Sequence, residues 1–390
     1  MPVKNRLAEL HAEITDWRRT IHENPELQYD LPKTTALVEA KLKEFGVDEI
    51  VPGIGRTGIV GIINGKTDTS GRCVGLRADM DALPMTEKTG LEYASNTPGK
   101  MHACGHDGHT AMLLGTAKYL TETRNFDGRV ALIFQPAEEG GAGGEAMVAD
   151  GMMERFGIQE VYGMHNEPGL PVGEFGVSPG PIMAAADEFV VHIRGQGGHA
   201  ARPQHAIDPV PAAAACILAL QTIVSRSTDP LEALVISTCV VETESAATNV
   251  IDDSVKLAGT VRTLNEDVRD LAEGRIREVL DASARAYGCT ADLEYERGYP
   301  VTVNHDKNAE IAREIAEAVA GAEKVHFGRP PVMGAEDFSY MLLERPGAFI
   351  NVGNGDTARV HNPAYNFNDD AIPFGTSFFA ELVERRMPAA

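Results

Sequence analysis

Four short, mainly apolar segments of this chain are each followed closely by polar residues, and this pattern restricts the fold more than any other feature. The segments are residues 73–77, 130–134, 159–164 and 348–352. Apolar runs of this length are typical of strands that are buried on both faces of a parallel sheet. Open α/β sheets place their functional sites at the carboxyl ends of such strands. We therefore expect an α/β sheet-and-helix domain with a site at one edge of its sheet.

The polar residues that follow the four segments are carboxylates and histidines: Asp79 and Asp81, then Glu138 and Glu139, then His165, and finally His361 beyond a glycine-containing loop. The two aspartates are either partners of a site or ordinary turn residues, since Asp before Ala and Pro is common in turns. On an extended backbone the two glutamates would point to opposite sides, so one could bind a metal while the other faces a water molecule. Taken singly, each histidine could be an ordinary one. Their shared position favours a common site.

Residues 101–110, MHACGHDGHT, carry the densest set of potential metal ligands in the chain. On an extended segment Cys104 and His106 would leave the backbone on the same side and could bind one ion together. Gly105 and Gly108 would let the backbone bend. The apolar run 111–120 predicts a helix that holds this loop against the sheet. A polar loop that caps the helix, with His109 as a capping residue, is the alternative interpretation.

The charge and cysteine content exclude some classes of partner. With 57 acidic and 35 basic side chains, the formal net charge is −22, so the surface repels nucleic acid and anionic membranes. The N-terminal segment has no long apolar run, and we expect no segment of transmembrane length and hence a cytoplasmic protein. Five scattered cysteines favour reduced thiols over a disulfide framework.

A glycine motif at residues 53–58 matches G-x-G-x-x-G in form only. A dinucleotide site needs a helix after this motif, whereas the strand-like residues 59–63 follow here. We therefore assign the motif to a turn. Helices are predicted at residues 4–22, 32–45, 308–321 and 374–386 from apolar spacing and from Gly46 and Gly321 at their ends.

Residues 183–297 have a different pattern from the rest of the chain. It predicts strand 188–194, helix 209–224, strands 233–241 and 254–262, helix 266–287 and strand 290–296. This order, βαββαβ, is that of the ferredoxin-like sandwich. Segments containing proline and glycine flank it, so we expect an insertion. The sheet domain would then comprise residues 1–182 and 298–390.

The motifs of this chain resemble those of a known family. They are GLRADMDALP, MHACGHDGHT, FQPAEEGGAGG, MHN, GGHAARP, MGAEDFSY and HNPAYNFND. Together they resemble the two-metal amidohydrolases and peptidases related to aminoacylase and glutamate carboxypeptidase, and most of all the branch of hippurate hydrolases and indoleacetate–amino acid hydrolases. The resemblance spans nearly the whole chain. It implies a metal-binding catalytic domain with an inserted lid that also forms a homodimer or a higher homo-oligomer.

The resemblance also implies roles for individual residues. The implied metal ligands are Cys104, His106, Glu139, His165 and His361, with Cys104 as the bridging group. Glu138 falls at the general base of the family, and His199 at the lid histidine that stabilises the oxyanion in a neighbouring subunit's site. Asn249 and Arg262 match lid positions that contact the carboxylate end of the substrate.

One departure concerns the segment Asp79-Met-Asp81, where relatives outside this branch have a ligating histidine in H-x-D-x-x-P. This favours the branch with a cysteine ligand and leaves Asp79, Asp81 and also Asp107 as groups that hold the ligands in place. The resemblance implies two divalent cations per subunit. Zinc, manganese, cobalt and nickel all suit a set that contains a thiolate.

The function implied is hydrolysis of the amide bond of N-acyl amino acids, such as hippurate or N-acetyl amino acids, by a metal-activated water molecule. Glu138 would move the proton, and the lid around Arg262 would select a leaving amine that carries a carboxylate. Two alternatives stay open. One is a dipeptidase or carboxypeptidase that uses the same centre, and the other is a non-catalytic metal-dependent binding protein. Structural zinc sites are closed and built from Cys and His, unlike this mixed donor set.

Overall fold

The computed structural model of the protein describes residues 4–389. Residues 1–3 and 390, which the expected sheet domain includes, lie outside the described residues. The chain divides into two compact units. Pro181–Thr302 together with Pro331–Glu336 form the small unit, and the rest of the described chain forms the large unit. The catalytic and lid roles expected for the two parts stay predictions.

The helices and strands are numbered here in chain order. The described residues contain α1 Asn5–Glu9, α2 His11–Glu23, α3 Pro32–Phe45, α4 His106–Thr123, α5 Gly143–Ala149, α6 Met152–Phe156, α7 Pro209–Thr222, α8 Glu266–Ala286, α9 Asp306–Ala320, α10 Phe338–Glu344 and α11 Ile372–Arg386. The strands are β1 Glu49–Ile54, β2 Gly58–Asn64, β3 Cys73–Asp79, β4 Arg129–Gln135, β5 Glu160–Glu167, β6 Phe175–Val177, β7 Gly180–Met183, β8 Ala185–Arg194, β9 Gly198–His199, β10 Leu234–Thr243, β11 Val250–Ile251, β12 Ser254–Thr263, β13 Thr290–Arg297, β14 Thr302–Asn304, β15 Val325–Phe327 and β16 Gly347–Gly353.

An eight-stranded mixed sheet in the order β1-β2-β4-β3-β5-β16-β6-β15 forms the centre of the large unit. Its inner strands β4, β3, β5 and β16 run parallel to one another. They contain the four apolar segments of the sequence, and β3 is buried along its whole length. The expected α/β class is therefore confirmed. Because parallel strands end at the same edge, the residues that follow these four strands share one edge of the sheet.

Helix α4 is buried on nearly all sides. It packs on β3 and is covered by α2, α3 and α11. At Gly115 a Cβ atom would lie 2.5 Å from Cδ1 of Ile14 in α2, so the two helices approach too closely for a larger residue. Because α4 is buried among these elements, its first turn is held in place against the sheet.

Most predicted helices are present with small changes in their bounds. The segment 4–22 forms two helices, α1 and α2, and α3 has the predicted bounds, followed by Gly46 at a φ of 74°. Residues 53–58 form the turn of a β1–β2 hairpin, as expected. The short elements α5, α6, α10, β6 and β15 were not predicted, since each is too short to show a clear apolar period.

The small unit contains β8, α7, β10, β12, α8 and β13 in that order along the chain. Its antiparallel sheet has the order β10-β12-β8-β13. Residues of β8 alternate between buried and more exposed positions, so one face of the sheet is covered. Helices α7 and α8 pack on that face and form a separate apolar core with it.

Helix α7 continues into a π-helical turn, Ile223–Ser227. The stretch Pro209–Ser227 is long and apolar enough to cross a membrane by length and composition, so the expectation of no such segment is wrong. The apolar residues of this helical stretch lie both on its buried side and on its exposed side. Cys216 and Leu220 are buried in the core of the small unit, whereas Leu218 is exposed.

Candidate metal centre

The loop before α4 bends sharply between the first two predicted ligands. Gly105 has a φ of 96°, and His106 is the first residue of α4. The segment is therefore not extended, contrary to our expectation. At Gly105 a Cβ would lie 2.2 Å from Nδ2 of Asn166. This position therefore needs glycine both for its positive φ and for the close approach of Asn166. Gly108, by contrast, lies inside α4, where its small size makes room for the ring of Phe367.

Glu138 and Glu139 lie in a turn after β4 rather than on an extended backbone. Ala137, just before them, has a φ of 53°, which is uncommon for a residue with a side chain. The carboxylate of Asp81 accepts the backbone N–H groups of Glu138 at 3.0 Å and of Glu139 at 3.1 Å. Asp81 thus fixes this turn. The two glutamates do not point to opposite sides, because oxygens from both lie within 4.8 Å of one ring nitrogen of His106.

The two remaining predicted ligands come from β5 and from the loop after β16. His165 lies within β5, opposite Asn351, and not beyond its end as expected. His361 has a φ of 62° and donates its backbone N–H to the carbonyl oxygen of Ala103 at 2.7 Å. Non-glycine residues in this conformation are often held there for a function. This hydrogen bond ties the loop of His361 to the loop of Cys104.

All five predicted ligands come together at the carboxyl edge of the sheet. They form two groups of three, each with its donor atoms within 4.8 Å of one another. One group is Cys104, His106 and His165, and the other is Cys104, Glu139 and His361. The Sγ atom of Cys104 lies 3.3 Å from Nε2 of His165, and Nε2 of His361 lies 3.3 Å from Oε1 of Glu139. Cys104 is thus shared by both groups.

The charges of this cluster suit cation binding. Burial raises the pKa of the Cys104 thiol, but His165 and His106 outweigh it and lower that pKa to about 6. Burial lowers the pKa of His165, yet the charge of Cys104 raises it to about 9. Hydrogen bonds to Cys104 and Glu139 raise the pKa of His361 to about 10. The raised pKa values of these two histidines reflect the anionic groups beside them, Cys104 and Glu139.

Unsatisfied polar atoms at the centre of the cluster also suit a metal. Both ring nitrogens of His106 are buried without a hydrogen bond in the described residues, and Oε1 of Glu139 is buried with Nε2 of His361 as its close polar neighbour. Such atoms are costly to bury unless they bind something. A thiolate, three imidazoles and a carboxylate are ligands of zinc and related transition metals. The donor set therefore fits two divalent cations that share Cys104.

His109 and Asn166 hold this cluster and were not predicted as site residues. Nδ1 of His109 lies 2.7 Å from Oδ1 of Asp79, and Nε2 accepts the backbone N–H of Asn166 at 3.0 Å. Because a backbone N–H can only donate, the ring proton is on Nδ1 and is donated to Asp79. Asn166 also donates from its side chain to the carbonyl oxygen of Cys104 at 2.6 Å. His109 is thus not a capping residue. Its position three residues after His106, on the same helical face, is the signal in the sequence.

Asp79 and Asp107 are buried and paired rather than placed in surface turns. Asp79 accepts from Arg77 and His109. Oδ2 of Asp107 lies 2.8 Å from Nδ1 of His22 and 3.4 Å from a guanidinium nitrogen of Arg18. Burial raises the pKa of Asp107, but His22 and the other nearby bases lower it well below the usual range. Asp107 therefore carries a charge beside His106, a predicted ligand.

The remaining predicted site residues belong to the small unit. His199 is exposed on β9 and pairs with Val250 of β11. The carbonyl oxygen of the neighbouring Asn249 accepts the N–H of Ala200 at 3.0 Å. His199 and Asn249 thus lie together in a two-stranded ribbon. Arg262 is half-buried in β12, where Nε donates to Oγ1 of Thr260. Their participation in the site stays a prediction.

The chain is similar over most of its length to proteins of one known family. The family model described as peptidase family M20/M25/M40 matches residues 75–385. The chain is similar to a hippurate hydrolase of Campylobacter jejuni, with 40% identity over 96% of this chain and 97% of that protein. It is also similar to an N-acetylcysteine deacetylase of Bacillus subtilis, with 38% identity over 95% of this chain and 96% of that one.

A solved structure is similar over nearly the full length. It is a dinuclear metal-binding peptidase of the same family from Bacillus subtilis, with 33% identity and a TM-score of 0.85 over 97% of this chain and 99% of that one. The family model covers most of the chain. The hippurate hydrolase and the N-acetylcysteine deacetylase are both similar to this chain over nearly their full length. This protein is a member of peptidase family M20/M25/M40.

Proposed function

We propose that this protein is a metal-dependent amidohydrolase that cleaves the amide bond of N-acyl amino acids. The observation that carries the proposal is the pair of donor groups that share Cys104, with Glu138 beside them. Relatives that match the chain over nearly its full length are named as a hippurate hydrolase and an N-acetylcysteine deacetylase. Hippurate and N-acetylcysteine, the compounds in these two names, are both amino acids that carry an acyl group on nitrogen.

Cys104, His106, Glu139, His165 and His361 would hold two divalent cations. When bound, the cations would polarise the amide carbonyl and make a water molecule more acidic. Zinc, manganese, cobalt and nickel are all compatible with this donor set. The dinuclear metal named for the similar Bacillus subtilis structure supports a count of two.

Glu138 would act as the general base. Its Oε2 lies 3.9 Å from Nε2 of His106, so its carboxylate faces the ligand cluster. We infer that Glu138 takes a proton from the attacking water molecule and passes it to the nitrogen of the leaving amine. Asp81 supports this role because it fixes the backbone of Glu138 and Glu139. Asp79 and Asp107 would hold the ligand histidines in place.

The small unit would serve as the lid. Its element order βαββαβ and its sheet order β10-β12-β8-β13 support a ferredoxin-like fold for this unit. His199 would stabilise the oxyanion of the tetrahedral intermediate. Asn249 and Arg262 would bind the carboxylate of the leaving amino acid. Because the net charge of the protein is −22, a local positive group such as Arg262 is needed to attract an anionic substrate.

We further propose a homodimer or a higher homo-oligomer formed through the small unit. Leu218 of α7 and Val235 and Val241 of β10 are exposed apolar residues of this unit. Such residues support a contact with a second copy of the chain, because the contact would remove their apolar surface from water. Since all five cysteines are free, a reducing location such as the cytoplasm suits the protein.

A dipeptidase or carboxypeptidase activity of the same centre is the second candidate, and the peptidase description of the similar solved structure favours it. The test is a panel of substrates with the purified protein supplied with zinc, manganese, cobalt or nickel. The panel compares benzoylglycine and N-acetyl amino acids with unblocked dipeptides. We expect the N-acyl compounds to be hydrolysed faster. Faster cleavage of the dipeptides would favour the peptidase, and metal binding without any hydrolysis would favour a binding protein.

A further inference from the structure

A buried arginine connects three residues beneath the metal centre, and none of these links involves a predicted ligand. Arg77 donates from Nη1 to Oδ2 of Asp79 at 2.7 Å and from Nε to Oε1 of Gln135 at 2.9 Å. Its Nη2 donates to Oδ1 of Asp337 at 3.0 Å. All four side chains are at most 1% exposed. The rings of Phe338 and Phe349 lie 5.7 and 5.9 Å from the guanidinium carbon.

Asp337 connects this network to the loop that carries Glu138 and Glu139. Its two carboxylate oxygens accept from Nε2 of Gln135 at 2.7 and 2.9 Å, and Oδ2 accepts the backbone N–H of Gly144 at 2.8 Å. A Cβ at Gly144 would lie only 2.6 Å from the carbonyl oxygen of Asp337. The glycine run after Glu139 thus lets the far end of the loop reach Asp337. Gln135 holds the near end, as the last residue of β4.

Asp79 connects the same network to the histidines. Oδ1 of Asp79 pairs with Nδ1 of His109, and Oδ2 lies 3.6 Å from Nε2 of His106. Arg77 therefore contacts the residue that orients the histidines and also the residues that hold both ends of the glutamate loop. The guanidinium therefore bridges these two parts of the centre, in addition to the link that Asp81 makes between His106 and the glutamate turn.

The network is not explained by stability alone. Removing one cation and two carboxylates from water costs desolvation free energy. Buried ion pairs therefore often add little to the free energy of unfolding compared with apolar residues of similar size. The fork of an arginine, however, fixes the relative positions of the groups that it joins. Groups that orient metal ligands typically change metal affinity or activity by about 10–100-fold when they are removed.

We propose that Arg77 and Asp337 are positioning residues of the metal centre, which hold the Glu138–Glu139 loop in register with the histidines that bind the cations. This inference rests on the proposed function for its kinetic part, but metal binding tests it independently. Neither residue needs to touch the substrate or the cations. Arg77 contacts Asp79 and Gln135. Asp337 contacts Gln135 and Gly144, and one of its carboxylate oxygens lies within 4.8 Å of one of Glu138.

The experiment compares the variants Arg77→Lys, Asp337→Asn and Gln135→Leu with the wild type. The matched control is Arg386→Lys, which alters a second mostly buried arginine of the large unit, paired with Glu160 at 2.9 Å. That pair lies at the first residue of β5, whereas His165 lies near the other end of this strand. We measure Tm, the affinity of the metal-free protein for Mn²⁺ by calorimetry, and kcat and KM for an N-acyl amino acid.

We expect the Arg77 and Asp337 variants to bind Mn²⁺ about 10–100-fold more weakly and to lose kcat with little change in KM. The control Arg386→Lys should lower Tm but leave the Mn²⁺ affinity and kcat unchanged. Gln135→Leu keeps all the charges, so it should fold even if Arg77→Lys does not, and it should show the same loss in a milder form. Unchanged Mn²⁺ affinity and kcat in the folded variants would overturn the inference. A wild type that binds Mn²⁺ but hydrolyses no N-acyl amino acid would contradict the proposed function alone.

Discussion

The Sγ atom of Cys104 lies 3.3 Å from Nε2 of His165. The same sulfur belongs to the second donor group, with Glu139 and His361. A thiol in this position has its pKa lowered to about 6, although burial opposes that shift, because His165 and His106 are close. The thiolate form, which binds metals, is therefore favoured at neutral pH.

The first prediction concerns the shared cysteine. Cys104→Ala removes one donor from both groups, so we expect the purified protein to lose bound metal and hydrolysis together. Cys104→Asp restores a negative oxygen donor and should recover part of both. Metal content per chain and turnover are the measurements. If Cys104→Ala kept two ions per chain, the shared role of this residue would be wrong.

The second prediction concerns Glu138, the proposed general base. Glu138→Gln removes the proton acceptor but keeps the size of the side chain, so we expect kcat to fall by about 10²–10⁴-fold. Metal content should change little, because Glu139 supplies the ligand. Turnover of an N-acyl amino acid at saturating metal is the measurement, with Glu145→Gln in α5 as the control. Turnover close to that of the wild type would exclude Glu138 as the base.

The third prediction concerns pH. In the metal-free protein the pKa values of His165 and His361 are raised to about 9 and about 10, so both rings carry a proton at neutral pH. A metal binds only the unprotonated ring, so binding must release these protons. Metal affinity should therefore rise with pH between about 6.5 and 8.5, and fall more steeply below about pH 6, where Cys104 also takes up a proton.

Calorimetry in buffers of different ionisation enthalpy counts the released protons. We expect about two or more per chain near pH 7. His361→Ala should release about one proton fewer. An affinity that does not change with pH in this range would contradict the charge state that we infer for the cluster.

The fourth prediction concerns Asp81, which accepts the N–H groups of Glu138 and Glu139. Asp81→Ala leaves two N–H groups of a largely buried turn without this acceptor, at a cost of about 1–3 kcal/mol each. We expect the free energy of unfolding of the metal-free protein to fall by roughly 2–4 kcal/mol, together with metal affinity. Urea unfolding is the measurement. Asp48→Ala, which alters a partly exposed aspartate paired with Arg124, should cost less, about 1 kcal/mol or below.

The sequence could predict that the side chains of the predicted donors lie close together, because their positions follow from a repeated pattern. Each apolar strand is parallel to its neighbour, so polar residues after the strands had to meet at one edge of the sheet. The resemblance to a family then implied which of them bind metal. The backbone between the donors could not be predicted in the same way. The left-handed Gly105 and Ala137 turn the loops away from the extended form that we expected.

The supporting network was not predicted because it depends on contacts between distant parts of the chain. Arg77 and Asp337 are 260 positions apart, and the sequence has no periodicity that relates them. The role of His109, for which capping was only an alternative, could not be predicted because its partners, Asp79 and the N–H of Asn166, come from two different strands. Such roles become visible only when the packing of the strands and helices is known.

The central claim is that five donors hold two divalent cations around one shared cysteine. The most direct measurement is the anomalous diffraction of a crystal of the protein grown with Mn²⁺. The account predicts two peaks per chain, one beside Cys104, His106 and His165 and the other beside Cys104, Glu139 and His361. A single peak, or peaks that do not contact Cys104, would contradict it.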